Sequence, residues 1–437
     1  MPTARARHFA AIDNLSHYAR SRRDGALAII RNVLQMSDIS PARFNAAMQA
    51  IASHGQVALH FHPDRFDSRG LMVAEGLAQD GRYRCQFETR VSSGLLSPEI
   101  GGARDHWERS FFGEVSNELT ARPKYGALDL LRAPNGPAPR FGSCYLLTKP
   151  EVLERATFCF HDSYRNPCDK GTAEAFELVM AALLTESFER RYALGEYGLS
   201  PGKLIERLLI TLNEDAQHRF MRPLAGNLDH YIEAQIHGPV LLGNDIDALV
   251  ADPSFRGTEI EPLLNALASR YDINLMWHRG LSLAVEDVVS DFRGPSMPTL
   301  ARRVAIDGQI NAYAIGVAAR EVSRFPTRWR DRGHQADVLS ELKWLWHLLV
   351  RYGSTTDCCA PEPDGYGADI DLAPELEAGG ESGAGESRVV GSRVGDTAEP
   401  QAVTDTRAMA DEAACLKAEP SKPDSKDAPG SKPSTAD

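Results

Sequence analysis

Tyr231-Ile232-Glu233-Ala234-Gln235-Ile236-His237-Gly238 alternates apolar and polar residues and closes on a glycine. Side chains alternate with period two along a strand. Ile232, Ala234 and Ile236 therefore share one face, and Tyr231, Glu233, Gln235 and His237 share the other. The pattern predicts a half-buried strand. Its polar face reads either as the solvated outer face of an antiparallel sheet or as a small reactive surface built on a carboxylate.

Upstream, Gln56-Val57-Ala58-Leu59-His60-Phe61 predicts a strand, as do 82–91, 141–147 and 155–160. Helical spacing of apolar residues covers 9–34, 172–191 and 201–213, the last behind Ser200. A further helix follows Ser40, with Pro41 at its first position and Gly55 just past its end. Downstream the pattern gives a helix over 259–270, a short strand over 273–277, one or two helices over 297–324 and an amphipathic helix over 336–352. These elements predict an α+β protein. A helical N-terminal arm occupies 1–55, an α+β core with a cleft 56–250 and a mostly helical region 251–353.

Charge sets the tail apart. The 437-residue chain carries a formal charge of −12, and from Ser354 onward 18 Asp and Glu face only 7 Lys and Arg. Residues 354–437 are also rich in Gly, Pro and Ser and poor in large apolar side chains, which predicts a disordered acidic tail. The remainder is close to neutral and offers no basic stripe for nucleic acid. Seven cysteines occur without a CxxC pair, and there is neither an apolar leader nor a run long enough to span a membrane. A reducing, cytoplasmic setting is expected, with no nucleic-acid or membrane partner.

The familiar nucleotide-binding and hydrolase signatures are missing: there is no GxGxxG after a strand, no Walker A loop, no HExxH and no GxSxG. Two groups carry chemistry instead. His60-Phe61-His62 at a strand end places two imidazoles on one face, which suits a divalent metal. Asp64, His161, Asp162, His230 and His237 are the residues that could complete it, giving a metal-dependent hydrolase. Arg65 is the second feature, either paired with Asp64 or Asp67 at a surface turn or gripping an anion. Arg90, Arg104 and Arg109 near Ser92-Ser93-Gly94 read either as further anion contacts or as ion-paired surface. Trp107, Phe111 and Phe112 read as core.

The segments Leu59-His60-Phe61-His62-Pro63-Asp64-Arg65, Arg122-Pro123-Lys124-Tyr125-Gly126-Ala127-Leu128, Phe141-Gly142-Ser143-Cys144-Tyr145-Leu146, Arg155-Ala156-Thr157-Phe158 with Asp162-Ser163, and Glu233-Ala234-Gln235-Ile236-His237-Gly238 resemble an uncharacterised bacterial family of unknown function, over roughly Ser40 to Arg351. Their order is also similar to that of bacterial mono-ADP-ribosyltransferase toxin domains. That resemblance implies a split β-sheet core and NAD as substrate, with a protein or small-molecule acceptor that it does not identify. It implies Glu233 as the carboxylate that stabilises the ribose cation, and Ser143 and Gln235 as its catalytic neighbours. It implies NAD-binding roles for Arg65, His60, His62 and Tyr125, with Arg65 on the pyrophosphate and Tyr125 stacked on nicotinamide. The chain departs from the toxin pattern in having Tyr231 two residues before Glu233. A protein that binds or assembles without chemistry is the third class of reading.

Overall fold

The computed structural model describes residues 4–90, 98–113 and 115–355. The expectations for Ser92-Ser93-Gly94 and for the acidic tail beyond Thr355 fall outside these residues. The α+β class holds. Eight strands form one mixed sheet: β1 (Val57–Phe61), β2 (Lys124–Leu128), β3 (Cys144–Thr148), β4 (Ala156–Phe160), β5 (Lys170–Thr172), β6 (Ile232–Ile236), β7 (Ile246–Ala251) and β8 (Asn274–Trp277). Their spatial order is β8-β7-β3-β1-β2-β6-β4-β5. Every neighbouring pair is antiparallel except β7 with β8. Backbone hydrogen bonds thus join all eight strands continuously, where the toxin resemblance implies two separate packed sheets.

The strand period sorts the core into two sides. Val57, Leu59, Phe61, Leu128, Leu146, Phe158, Ile232, Ala234 and Ile236 belong to one large apolar cluster. Helices α1 (Ala4–Ser21), α2 (Arg23–Met36) and α3 (Pro41–His54) form the N-terminal arm, and α2 and α3 contribute to this cluster. So do α4 (Val73–Asp80), α6 (Glu177–Arg190) and α7 (Pro201–Asn213). The opposite side carries smaller clusters. In one of them α1 and α5 (Ala103–Phe112) bring Leu15, Trp107, Phe111 and Phe112 against Cys159 and Tyr125. The expected core role of the three α5 aromatics is met. Downstream lie α8 (Glu261–Tyr271), α9 (Met297–Val304), α10 (Ala312–Arg324) and α11 (Gln335–Tyr352).

All five residues of β6 are buried, so its polar face is not half-solvated. Tyr231 and His237 at its two ends are buried as well. The period-two sorting stands, but α5 and the loops beside it cover the polar side.

Several local expectations change. The helix expected over 9–34 is two helices broken at Arg22. The strand expected over 82–91 shrinks to Arg82–Tyr83, paired with Val240–Leu241. A helical turn over Gln86–Thr89 replaces its remainder, because the Glu88 carboxylate accepts from the Cys85 N–H at 3.1 Å and caps that turn. The strand expected from Phe141 begins at Cys144, after a 3₁₀ turn over Pro139–Phe141. The third arm helix matches its reading: Ser40 Oγ accepts from the Arg43 N–H at 3.2 Å and Pro41 opens the helix.

Candidate functional site

A cavity of about 390 Å³ opens beside the sheet, and Phe61, Leu77, Ala319 and Leu342 of the large cluster form part of its wall. Residues from β1 and its exit (His60, His62, Arg65), α5 (Arg104), β2 (Tyr125), and β6 and its approach (Tyr231, Glu233) line it, with Asp162. Register explains the convergence. Glu233 lies directly opposite Ala127 on β2 and Cys159 on β4. The strand carrying Tyr125 and the strand leading to Asp162 therefore flank the carboxylate.

Glu233 is held on both oxygens. Oε2 accepts from the Ser163 backbone N–H at 3.1 Å, and Oε1 accepts from the Gln235 amide at 3.0 Å. Burial, and then the neighbouring Asp162 carboxylate, push its pKa up to about 7, against the Arg104 guanidinium and these two donors. Arg104 donates to Ser163 Oγ at 2.8 Å and lies over the Tyr125 ring at 4.4 Å. The Tyr125 hydroxyl donates to Glu108 Oε1 at 2.6 Å, and Glu108 Oε2 accepts from Arg122 at 2.6 Å. Arg122 also donates to Asp105. A fully buried ion network thus stands behind the ring that faces the cavity.

The expected site residues do not all reach the cavity. Arg65, His60, His62, Tyr125 and Glu233 line it; Ser143 and Gln235 do not. Gln235 is fully buried behind Glu233, its amide oxygen accepting from Thr157 Oγ1 at 2.8 Å. It contacts the Glu233 carboxylate from behind, through its amide nitrogen. Ser143 touches neither Glu233 nor the cavity: its hydroxyl meets His62 Nδ1 at 3.2 Å, and its carbonyl accepts from His278 at 3.0 Å.

Among the described residues, His60 and His62 do not join a group of three His, Cys, Asp or Glu ligand atoms close enough to hold a metal. His60 Nδ1 donates to the Gly142 carbonyl at 3.3 Å, and Nε2 accepts from the Ala138 N–H at 3.3 Å. Both ring nitrogens are committed to backbone, which leaves no lone pair for an ion. Burial drives this imidazole down to about 3. Asp64 lies at an ion-pair distance of 2.8 Å from Arg320, and His237 Nε2 sits 3.1 Å from Thr157 Oγ1. Arg65 approaches Asp64 only to 3.9 Å and gives one 3.4 Å bond to the Ile315 carbonyl, so much of its donor fork is free of close partners. Asp67 is occupied by Arg69.

A family model described as a protein of unknown function (DUF3626) matches residues 56–352, most of the chain. The chain belongs to the DUF3626 family. A comparison with the curated proteins finds no match. The matched DUF3626 segment spans the whole sheet, α4 to α11 and every cavity residue named above, while the N-terminal arm precedes it. Among the described residues of this DUF3626 protein, no helix is long and apolar enough to cross a membrane.

The residues that reading the sequence missed are Glu108, Tyr231 as cavity wall, and the coupling of Arg104 to Glu233 through Ser163. Arg104 was legible only as one of three arginines near a serine-rich stretch. Its partner Ser163 is 59 positions away, and no local pattern links them.

Proposed function

We propose that this DUF3626 protein cleaves the nicotinamide–ribose bond of NAD and passes the ribosyl carbon to an acceptor nucleophile. The observation that carries the reading is the presence of Glu233, Arg104, Tyr125 and Arg65 on one cavity. The cavity volume falls in the range of small-molecule sites. In the reaction the glycosidic C–N bond breaks and its electron pair leaves with nicotinamide. The positive charge that develops on the ribose is stabilised by ionised Glu233, whose orientation Ser163 and Gln235 fix beforehand. Arg65, with most of its planar fork unengaged, suits the pyrophosphate. Tyr125 offers one aromatic wall, its other surroundings being set by Arg104 and Glu108. A nucleophile, either water or a protein or small-molecule group, then bonds to the ribosyl carbon and gives up its proton to solvent.

The test is nicotinamide release from NAD by purified protein, with Glu233→Gln assayed alongside. Release by the wild type that is lost in the variant is the expected result. Equal release by both proteins, or none from the wild type, overturns the proposal.

A further inference from the structure

The antiparallel pairing of β4 with β6 ends where Phe160 meets Ile232. His161 directly follows that pair on one strand, and His230 lies just before it on the other. The His161 N–H donates to the Tyr231 carbonyl at 3.0 Å, which locks the two chain segments side by side. Their rings lie 5.4 Å apart. Helix α6, packed beneath, sends Glu186 between them. His230 Nδ1 lies 3.3 Å and His161 Nε2 3.9 Å from the same oxygen, Glu186 Oε1. One ligand atom from each of the three residues lies within 4.8 Å of the others.

We propose that His161, Glu186 and His230 form a binding site for a divalent transition-metal ion of the zinc class. Two imidazoles and one carboxylate are a donor set that such ions take, commonly with a further position left open. In a tetrahedral site with bonds of about 2.0–2.2 Å, ligand atoms stand about 3.3 Å apart, so only a modest inward movement separates the observed arrangement from a coordinating one. A second observation points to a ligand. Glu186 is 93% buried, its Oε2 has no hydrogen-bond partner, and neither does His230 Nδ1. A buried carboxylate oxygen without a partner is costly. A cation already near the carboxylate is Arg190, whose guanidinium stays 3.7 Å from Glu186 Oε1 on a half-exposed side chain and can swing aside; Arg165 adds a further positive charge near His161. The Tyr192 ring meets His230 edge-on and Phe160 packs against His161, which fixes both imidazoles. His230 also lines a second cavity, of about 230 Å³, which gives an ion a way in.

The consequence for the main cavity is direct. Asp162 and Tyr231, each adjacent in sequence to a proposed ligand, both line it. A bound ion would clamp that wall from outside while touching none of the reacting groups.

The experiment uses the full-length, tag-free chain dialysed against zinc and then against buffer, with bound metal measured by mass spectrometry. Melting temperature is followed with zinc and with chelator. The expected result is one zinc per chain and a melting temperature that rises with zinc. Glu186→Gln and His230→Ala should each lose the metal and the zinc-dependent rise, while melting like the wild type in chelator. Retention of zinc by both variants would place the ligands elsewhere on the chain, for example at Cys358 and Cys359, and overturns the proposal. A wild type that binds none overturns it equally.

Discussion

Glu233 and Gln235 stand two residues apart on one face of one strand, and the amide of the second donates to the carboxylate of the first at 3.0 Å. The strand period puts both side chains on one buried face, where the contact can form. It separates two roles within the β6 motif: Glu233 faces the cavity, and Gln235 holds it from behind.

A pH profile tests that division. Nicotinamide release should fall as pH drops below about 7, because the reaction needs the carboxylate and burial with Asp162 keeps it protonated below that point. Asp162→Asn removes the like charge and should move the profile toward acid. Gln235→Leu removes a donor that favours the anion and should move it toward base. Shifts in the same direction, or none, would sink the assignment.

The same ionisation is linked to stability. The folded-state pKa of Glu233 is raised from 4.5 to about 7, so the folded protein keeps a proton that the unfolded chain releases in that interval. The associated stability is fully present below the unfolded value and is lost as pH rises through about 7. The loss is on the order of 3 kcal/mol. Urea unfolding at pH 5 and pH 8 should therefore show wild type losing more stability than Glu233→Gln across that range. Parallel pH dependences would mean that Glu233 titrates normally.

Arg65→Ala should raise the KM for NAD by roughly tenfold or more, the size of a charged hydrogen bond, and leave kcat nearly unchanged. Steady-state kinetics separate the two. A fall in kcat at constant KM would place Arg65 at the reacting carbon instead.

Arg122 is fully buried between Glu108 and Asp105. Arg122→Ala leaves buried Glu108 with only the Tyr125 hydroxyl and Asp105 with Arg109 and the Gly101 N–H, and should cost about 3 kcal/mol in denaturant unfolding. A loss below ~1 kcal/mol would show that water or a rearranged neighbour replaces the guanidinium.

Much of the fold was legible because its signals are local. Apolar runs mark β1 and β4, alternation marks β6, and Ser40-Pro41 marks a helix start. The expected strand stops at Tyr83 because Glu88 caps its own turn at Cys85, a side-chain contact that outcompetes strand propensity. In the site, Glu233 and Arg65 could be singled out as charges flanking strands. Ser143 was misassigned because its distance from Glu233 depends on sheet order, with β1 and β2 between their strands. Glu108 was invisible for the opposite reason: on an amphipathic helix a glutamate beside Trp107 reads as a solvated face until a partner such as Tyr125 covers it.

The pairing of Ala127 with Glu233 also orders events during synthesis. Chains emerge from the ribosome N-terminus first, and contacts between distant segments close late and slowly. Arg65, Arg104 and Tyr125 are all exposed to the cell before the strand bearing Glu233 has left the tunnel. The strands on either side of β6 can therefore pair with it only after synthesis has passed Ile236. Under the proposed function, a truncated product ending before β6 lacks the carboxylate that the reaction needs.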